Sequence, residues 1–473
     1  MRRRLIYLIL LTLFLSGTLL VAAAPAPAAE QQLFLPLLDT PPGPPARIVN
    51  APYHQVSDID SRYAELAVFW FGQISADGNA ADVRVGYNDS ELYVAVAVFD
   101  RRLHYPPDSS ADLTQWDSVE LLLDTGGASG QAPRNSSYRL LASLHNGGEQ
   151  PDRQRTARGD GDTWQPHDFE VRSIAGWRGE GLNDNGDDRG WALTYRIPFA
   201  ELGGRPADGS IWGIGLRVFD RDGASLGPTR IWPETLDANT PSSWGGLHFG
   251  LPQHRVPAAG ATQEVSIRHR LNGADVPDGA VGGGSTCGAG LDFWREWGER
   301  SYYRLDDDPG VEPGDFNIQN QSDIADWPCF SRYYISFPLD AVPAGAQIVA
   351  AQLVLHQIGN AQPDAAQPSF IQVLTVAEDW EEASLTWNNS PPAQQNIGGA
   401  WVGVLREFPG FPGVARTFDV SYAAAQAQTA GTPLRLALYS ADNAYHSGKY
   451  FVSGDTGDWN ADARPALLIT YAP

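Results

Sequence analysis

From Ile48 onward the chain is built of short runs in which apolar positions recur every second residue, separated by Gly, Asn, Asp and Pro. In "DVRVGY" this places Val83, Val85 and Tyr87 on one face, the alternation of a half-buried strand. "ELYVAVAVFD" is apolar on both faces, as suits a central strand. "DSVELLLD", "SSYRLLASLH", "GWALTYRIPF" and "SIWGIGLRVFD" continue the series. Regular spacing without long helical periods predicts an antiparallel sandwich. Only "PFAELGG" and, later, "VSYAAAQAQ" have the pattern of a short helix. "LPQHRVPAAGA", Leu251 to Ala261, interrupts the strands, which then resume from "EVSIRH" to "ALLITY". The expected fold is all-β: two antiparallel, jelly-roll-like β-sandwiches in tandem. They occupy 47–251 and 262–473, joined by a linker at 252–261, and each is large enough to bury a core.

Ahead of the strands, Arg2, Arg3 and Arg4 precede an almost unbroken apolar run from Leu5 to Ala24. Small residues follow, so 1–28 reads as a secretory signal peptide with cleavage near Ala23 or Ala28. An uncleaved anchor is the alternative, because about 20 apolar residues can span a bilayer. Residues 29–46 are Pro-rich and read as a linker. No later run is apolar enough to span. The expectation is a secreted, extracellular protein without membrane association after cleavage.

Charge narrows the partners. The formal net charge is −23, and loss of the three leader arginines takes it to about −26. Lys449 is the only lysine. Such a surface offers no basic footprint for nucleic acid or anionic lipid, and it repels polyanions unless cations bridge them. Neutral partners fit. Cys287 and Cys329 are the only cysteines; in an oxidising compartment and within one domain they are expected to pair.

"ADVRVGYNDSELYVAVAVFD", "QWDSVELLLD", "YRIPFAELG" and "WGIGLRVFDRD" give the first domain a resemblance to family 9 carbohydrate-binding modules. The resemblance implies a sandwich that clamps a sugar between two tryptophans, with charged groups bonding its hydroxyls. It places the carboxylate at Glu120, the arginine at Arg139 and the late tryptophan at Trp244. Trp116 stands for the other tryptophan, two positions closer to the "DSVE" strand than in the family. The family's opening Asp-Gly and Asp-Trp are replaced by "SDIDSRYAEL". The chemistry is sensible by itself, since indole faces suit the C–H faces of a pyranose. Carboxylate and guanidinium make charge-assisted bonds to vicinal hydroxyls. Relatives of this sandwich that bind haem through methionine are excluded as a guide, because Met1 is the only methionine.

"SRYYISFPLDAVPAGAQIVAAQLVLH", "VAEDWEEASLTWNNSPP", "TFDVS" and "RPALLITYA" resemble the DNRLRE or family 96 carbohydrate-binding modules. "STCGAGLDFWREWGERSYYRLDDDPG" has no counterpart there and reads as an insertion. The Trp380/Trp387 pair belongs to that family's pattern. With Asn388 and Asn389 suited to a turn and Pro391 and Pro392 fixing an extended exit, it reads as a packing staple more than a sugar platform. Were this domain to bind sugar, Trp294, Trp297 and Trp327 are equal candidates.

"NDNGDDRG" and "LDDDPG" have the oxygen-rich composition of calcium loops without EF-hand spacing. Calcium is therefore a candidate, and no cofactor is required. Glycosidases need two carboxylates across a scissile bond, and none of the acids here sits in a recognisable catalytic motif. G-x-S-x-G, H-E-x-x-H, P-loop and Rossmann signatures are absent. The expectation is a secreted, non-catalytic polysaccharide-binding protein serving carbohydrate capture or catabolism. A glycan hydrolase or lyase, or a surface structural protein, are the rivals.

Overall fold

The computed structural model describes residues 46–256, 260–301, 314–320, 327–441 and 446–473. The signal peptide, nearly all of the Pro-rich linker and the "LDDDPG" loop lie outside the described residues.

Alternation along the strands sorts the first sandwich into two layers. One sheet has six antiparallel strands, among them Ala67–Ser75, Gly78–Tyr87, Glu91–Phe99 and Gly190–Pro198. Facing it are Gly245–Phe249, Ile211–Phe219, Ser118–Asp124, Ser137–Ser143, Gln154–Gly159 and the edge strand Trp164–Pro166. Val83, Val94, Val96 and Leu193 from one layer meet Val119, Leu121, Leu140 and Leu216 from the other in the buried core. The expected helical turn is the 3-10 segment Phe199–Leu202.

The second sandwich begins at Gln263. One layer is Asp278–Gly282, Ser331–Phe337, Leu434–Ser440, Ser369–Thr375 and Gln395–Val402. The other joins Gln263–Arg268, Ala466–Ala472, Lys449–Val452 and Asp315–Ile318 to the long strand Gln347–Asn360, which Val414–Asp419 pairs on its far side. Helix Ser421–Ala430 closes the path between two strands and ends at Gly431, in the left-handed conformation glycine adopts without strain.

The two sandwiches are fused along a sheet. Strand Ile48–Ala51 pairs in parallel with Gly245–Phe249 on one side and meets Gln395 on the other. A single sheet of 13 strands thus runs through both. Asn50 and Asn396 exchange side-chain amide bonds with each other's backbone across that junction.

The Trp387 stretch supplies a second fastening. Strand Ala67–Ser75 is the edge of its sheet, and an edge leaves backbone groups unpaired. Asn388 serves as a substitute strand there: it accepts from Ile74 N at 2.9 Å and donates to Ile74 O at 2.8 Å. Gln372 treats Val68 N and Leu66 O in the same way. Trp387 itself is 4% exposed and is packing, not a platform. The Arg332 guanidinium, also buried, lies over Trp387 at 3.7 Å and Trp70 at 4.3 Å, one ring from each sandwich.

Cys287 and Cys329 are joined in a disulfide at the root of the insertion. Phe293, Trp297, Trp327 and Phe330 close on Phe99 of the first sandwich and Trp387 of the second. Trp294 and Trp297 are buried and Trp327 is partly so. The candidate sugar contacts at Trp294, Trp297 and Trp327 are therefore corrected to core: large aromatic rings placed between two bodies are drawn into the seam.

Candidate functional site

The outer face of the first sandwich's second sheet gathers most of the sequence-predicted residues. Strand register sets Glu120 opposite Arg217 on one side and Leu141 on the other, while Arg139 lies opposite Leu122. Glu120 is fully buried. One of its oxygens accepts from Arg139 at 2.5 Å and the other from Arg217 Nη1 at 3.0 Å. The two arginine side chains remain 29% and 28% exposed. Glu120 thus holds two guanidiniums in place and has little left to offer a ligand; the outward donors are the arginines.

Trp244 packs on Leu122 and Leu236 and is 6% exposed, with its Nε1 donating to Asp237 O at 2.8 Å. Gly215 makes this possible, since a Cβ there would stand 2.6 Å from a Leu236 methyl. The ring that faces Trp244 is Trp164, not Trp116. The two planes are 3° from parallel with centroids 6.3 Å apart. Trp164 is half-buried, and its Nε1 donates to Asn239 Oδ1 at 3.1 Å. Trp116 closes the 3-10 turn Leu113–Gln115 at the opposite end of strand Ser118–Asp124, under the Arg221 guanidinium at 4.4 Å. Six residues of extended chain, roughly 20 Å, separate Trp116 from Leu122. That distance is why the Trp116–Trp244 clamp does not form.

A pyranose held between two indoles needs two carbon contacts of about 3.5–4.0 Å, roughly 7–8 Å in all. The Trp164–Trp244 pair is therefore closed by about 1 Å.

Three acids that the sequence reading missed meet at one end of this sandwich. Asp100, Asp117 and Asp220 are buried, and their carboxylate oxygens lie within 4.8 Å of one another. Asp117 accepts from His104 N and Arg221 N. Asp100 accepts from Arg102 N and Trp191 Nε1. Neither oxygen of Asp220 has a donor in good hydrogen-bond geometry, although the Asn79 side chain stands near enough to favour its ionised form. Burial, then Asp222, pushes the Asp220 carboxyl up to about 7, against the pull of Asn79 and Arg230. Asp100 and Asp117 are raised by burial and then by the neighbouring acids. A hard cation at about 2.3–2.6 Å from each oxygen spans roughly 5 Å across, so the group has the size and the oxygen chemistry for calcium. A signal was present: two strands end in Val-Phe-Asp, at Asp100 and Asp220, and Asp117 opens "DSVE".

Of the two loops with calcium-like composition, one lies within the described residues, and its acids are engaged by neighbouring donors. In "NDNGDDRG", Asp188 accepts from Leu103, Glu180 and Gly181 N–H groups. Asp187 pairs with Arg101, and Asn183 and Asp184 cap nearby backbone. A second acidic group, Asp278, Glu382 and Asp455, is better satisfied: Asp278 accepts from Tyr333 OH at 2.7 Å and Gly454 N at 3.0 Å.

Residues 316–408 match carbohydrate-binding module family 96. No curated protein matches the chain's sequence. Among solved structures, the chain is similar to a family 9 carbohydrate-binding module from Caldicellulosiruptor kristjanssonii in complex with cellotriose. Identity there is 17% and the TM-score 0.32, covering 45% of this chain and 99% of that one. It is similar also to a structure of a family 9 module from the same organism with glucose, at 18% identity and a TM-score of 0.30, covering 45% and 100%. Neither likeness bears on what this chain binds.

Proposed function

We propose that this chain is an exported, non-catalytic polysaccharide-binding protein whose first sandwich takes a neutral glycan on its outer sheet face. The observation that carries the reading is the parallel Trp164–Trp244 pair on the sheet face that also holds Arg139, Glu120 and Arg217. The family 96 match elsewhere in the chain supports a carbohydrate role. A sugar's C–H face lies on the partly exposed indole of Trp164 while its vicinal hydroxyls accept from the two guanidiniums. Glu120 keeps those guanidiniums oriented and neutralises part of their charge.

The acidic balance of the chain favours a neutral glycan over a polyanion, whose approach only salt or a cation would screen. A divalent cation between Asp100, Asp117 and Asp220 belongs to this reading as a structural tie, not as a ligand contact. A glycan array on the mature protein, combined with a reducing-sugar assay on the same glycans, tests it. Binding without release of reducing ends is expected. Release would make the chain an enzyme, and silence in both assays would leave a structural protein.

A further inference from the structure

The second sandwich has aromatic rings that face solvent. Phe408, Phe411 and Trp459 are 60%, 51% and 71% exposed. They nevertheless form one group: Phe411 lies edge-to-face with Phe408 at 5.1 Å and with Trp459 at 4.7 Å. Trp459 is held, not loose. A Cβ on Gly457 would stand 2.8 Å from its pyrrole edge, so the indole lies directly on bare backbone. The turn that carries it, Asp458–Ala463, is pinned by Asp458, which accepts from Arg464 at 2.6 Å and from Arg270 at 3.3 Å.

That turn caps one end of an open sheet face. Arg268 pairs with Asp462 at 3.1 Å, and the His356 ring bonds Ala463 O. On the strand of Arg268, alternation puts Ser266 and Glu264 on the same face, further from the turn. Register sets Leu468 and Thr470 beside them and then Gln352 and Ala350. These six residues line an open groove of about 460 Å³. The floor alternates the hydroxyls of Ser266 and Thr470, the Gln352 amide and the Glu264 carboxylate with the apolar surface of Leu468 and Ala350, and with an aromatic group beyond its end it is amphipathic in the manner of a sugar chain. Such a chain has donors and acceptors along its edges and C–H faces between them. A purely apolar protein partner would strand the hydroxyls, the amide and the carboxylate of that mixed floor. Asp458 and Asp462 are offset by Arg464, Arg270 and Arg268, so it is Glu264 and the acidic balance of the whole chain that disfavour an anionic glycan.

We propose that this face is a second glycan-binding site, in which a neutral, extended polysaccharide lies along the Gln352–Ser266–Thr470 groove and stacks on Trp459 and Phe411. It is a separate site from the one on the first sandwich and shares with it only the premise that the protein binds glycan. Neutral hexasaccharides built on xylose, glucose and mannose are titrated calorimetrically into the intact protein and into Trp459→Ala, Phe411→Ala and Arg139→Ala variants. At least one hexasaccharide should bind about tenfold more weakly to Trp459→Ala and to Phe411→Ala, a loss of about 1.4 kcal/mol. Arg139→Ala should keep that Trp459-dependent binding. These rings are exposed, so the variants should melt with the parent protein.

Binding that only Arg139→Ala weakens would overturn the second site and leave the first standing. Binding that only the aromatic variants weaken would do the opposite. No binding of any hexasaccharide by the parent protein would sink both. Self-association that Trp459→Ala abolishes, with glycan binding unchanged, would make the patch a contact between copies and overturn the proposal.

Discussion

The two sandwiches share a sheet yet differ in how they treat their buried acids and their surface rings. The first buries polar chemistry: Glu120 beneath two arginines, and three carboxylates of which Asp220 has no donor in good hydrogen-bond geometry. Its paired tryptophans are largely covered. The second gives its buried acid, Asp278, two donors and leaves Phe411 and Trp459 in water. Burying an unmatched charge costs several kcal/mol, and so does exposing large rings to water, though by less. Each departure from a dry core and a polar skin therefore marks a place where a missing partner would restore the balance. The partner proposed for the first sandwich is a cation, and for the second a sugar face.

The seam between the sandwiches is where this contrast can be broken most forcefully. Trp387→Ala should cost about 3–5 kcal/mol, as large core deletions do. Because Trp387 touches Phe99 and Arg332, the loss should lower one shared unfolding transition. Calorimetry that shows the second sandwich melting early while the first holds its midpoint would mean that the fused sheet does not couple them.

Next in size is the cation. If Asp100, Asp117 and Asp220 hold calcium, chelation should lower the melting midpoint of the parent protein. Calcium at 100 times its dissociation constant stabilises by about 2.7 kcal/mol. Asp220→Asn should melt at the same temperature with and without chelator. A chelator response that survives in Asp220→Asn would move the ion elsewhere.

The tryptophan pair yields a smaller and more selective effect. Trp164→Ala removes a partly buried ring at a sheet edge and should weaken glycan binding about tenfold with less change in melting than Trp244→Ala. Trp244→Ala removes a buried ring packed on Leu122 and Leu236 and should cost about 3–5 kcal/mol besides. Equal melting of the two variants would show that Trp244 is not core.

Much of the architecture was legible because alternation is a local property: "DVRVGY" and "ELYVAVAVFD" declare their faces without knowing their neighbours. The pairing of rings was not. Trp164 sits in "GDGDTWQP", a turn-rich stretch with no strand signal, and only the tertiary path of that stretch brings it to Trp244. The same limit explains the seam. In "DFWREW" an exposed platform and a buried wedge require the same residues, and what decides between them is whether Phe99 arrives from another domain. Arg217 was within reach, because it holds the outward position in "WGIGLRVFD" that Glu120 holds in "DSVE". Asp220 was within reach too, through the repeated Val-Phe-Asp.

The finest test lies in Asp278, the acid that the second sandwich does satisfy. Burial pushes its carboxyl up to about 7, although Gly454 N–H and Tyr333 OH both favour the ionised form. The ordinary value is 3.8. The folded state therefore holds this proton more tightly than the unfolded state does. Below about pH 4 both states are protonated, and the contribution of the group to stability is complete. Between about 4 and 7 the unfolded chain ionises first, so that contribution is lost as pH rises, and above about 7 no more is lost. The amide of an Asp278→Asn variant cannot ionise and still offers an oxygen to Tyr333 and Gly454. Stability of the parent protein minus that of Asp278→Asn should thus fall from pH 4 to 7 and flatten beyond, as read from denaturant midpoints at each pH. A difference that instead grows with pH would mean that the two hydrogen bonds outweigh burial and that Asp278 is ionised throughout. In that case this buried acid would also need a positive neighbour, and the contrast with Asp220 would narrow.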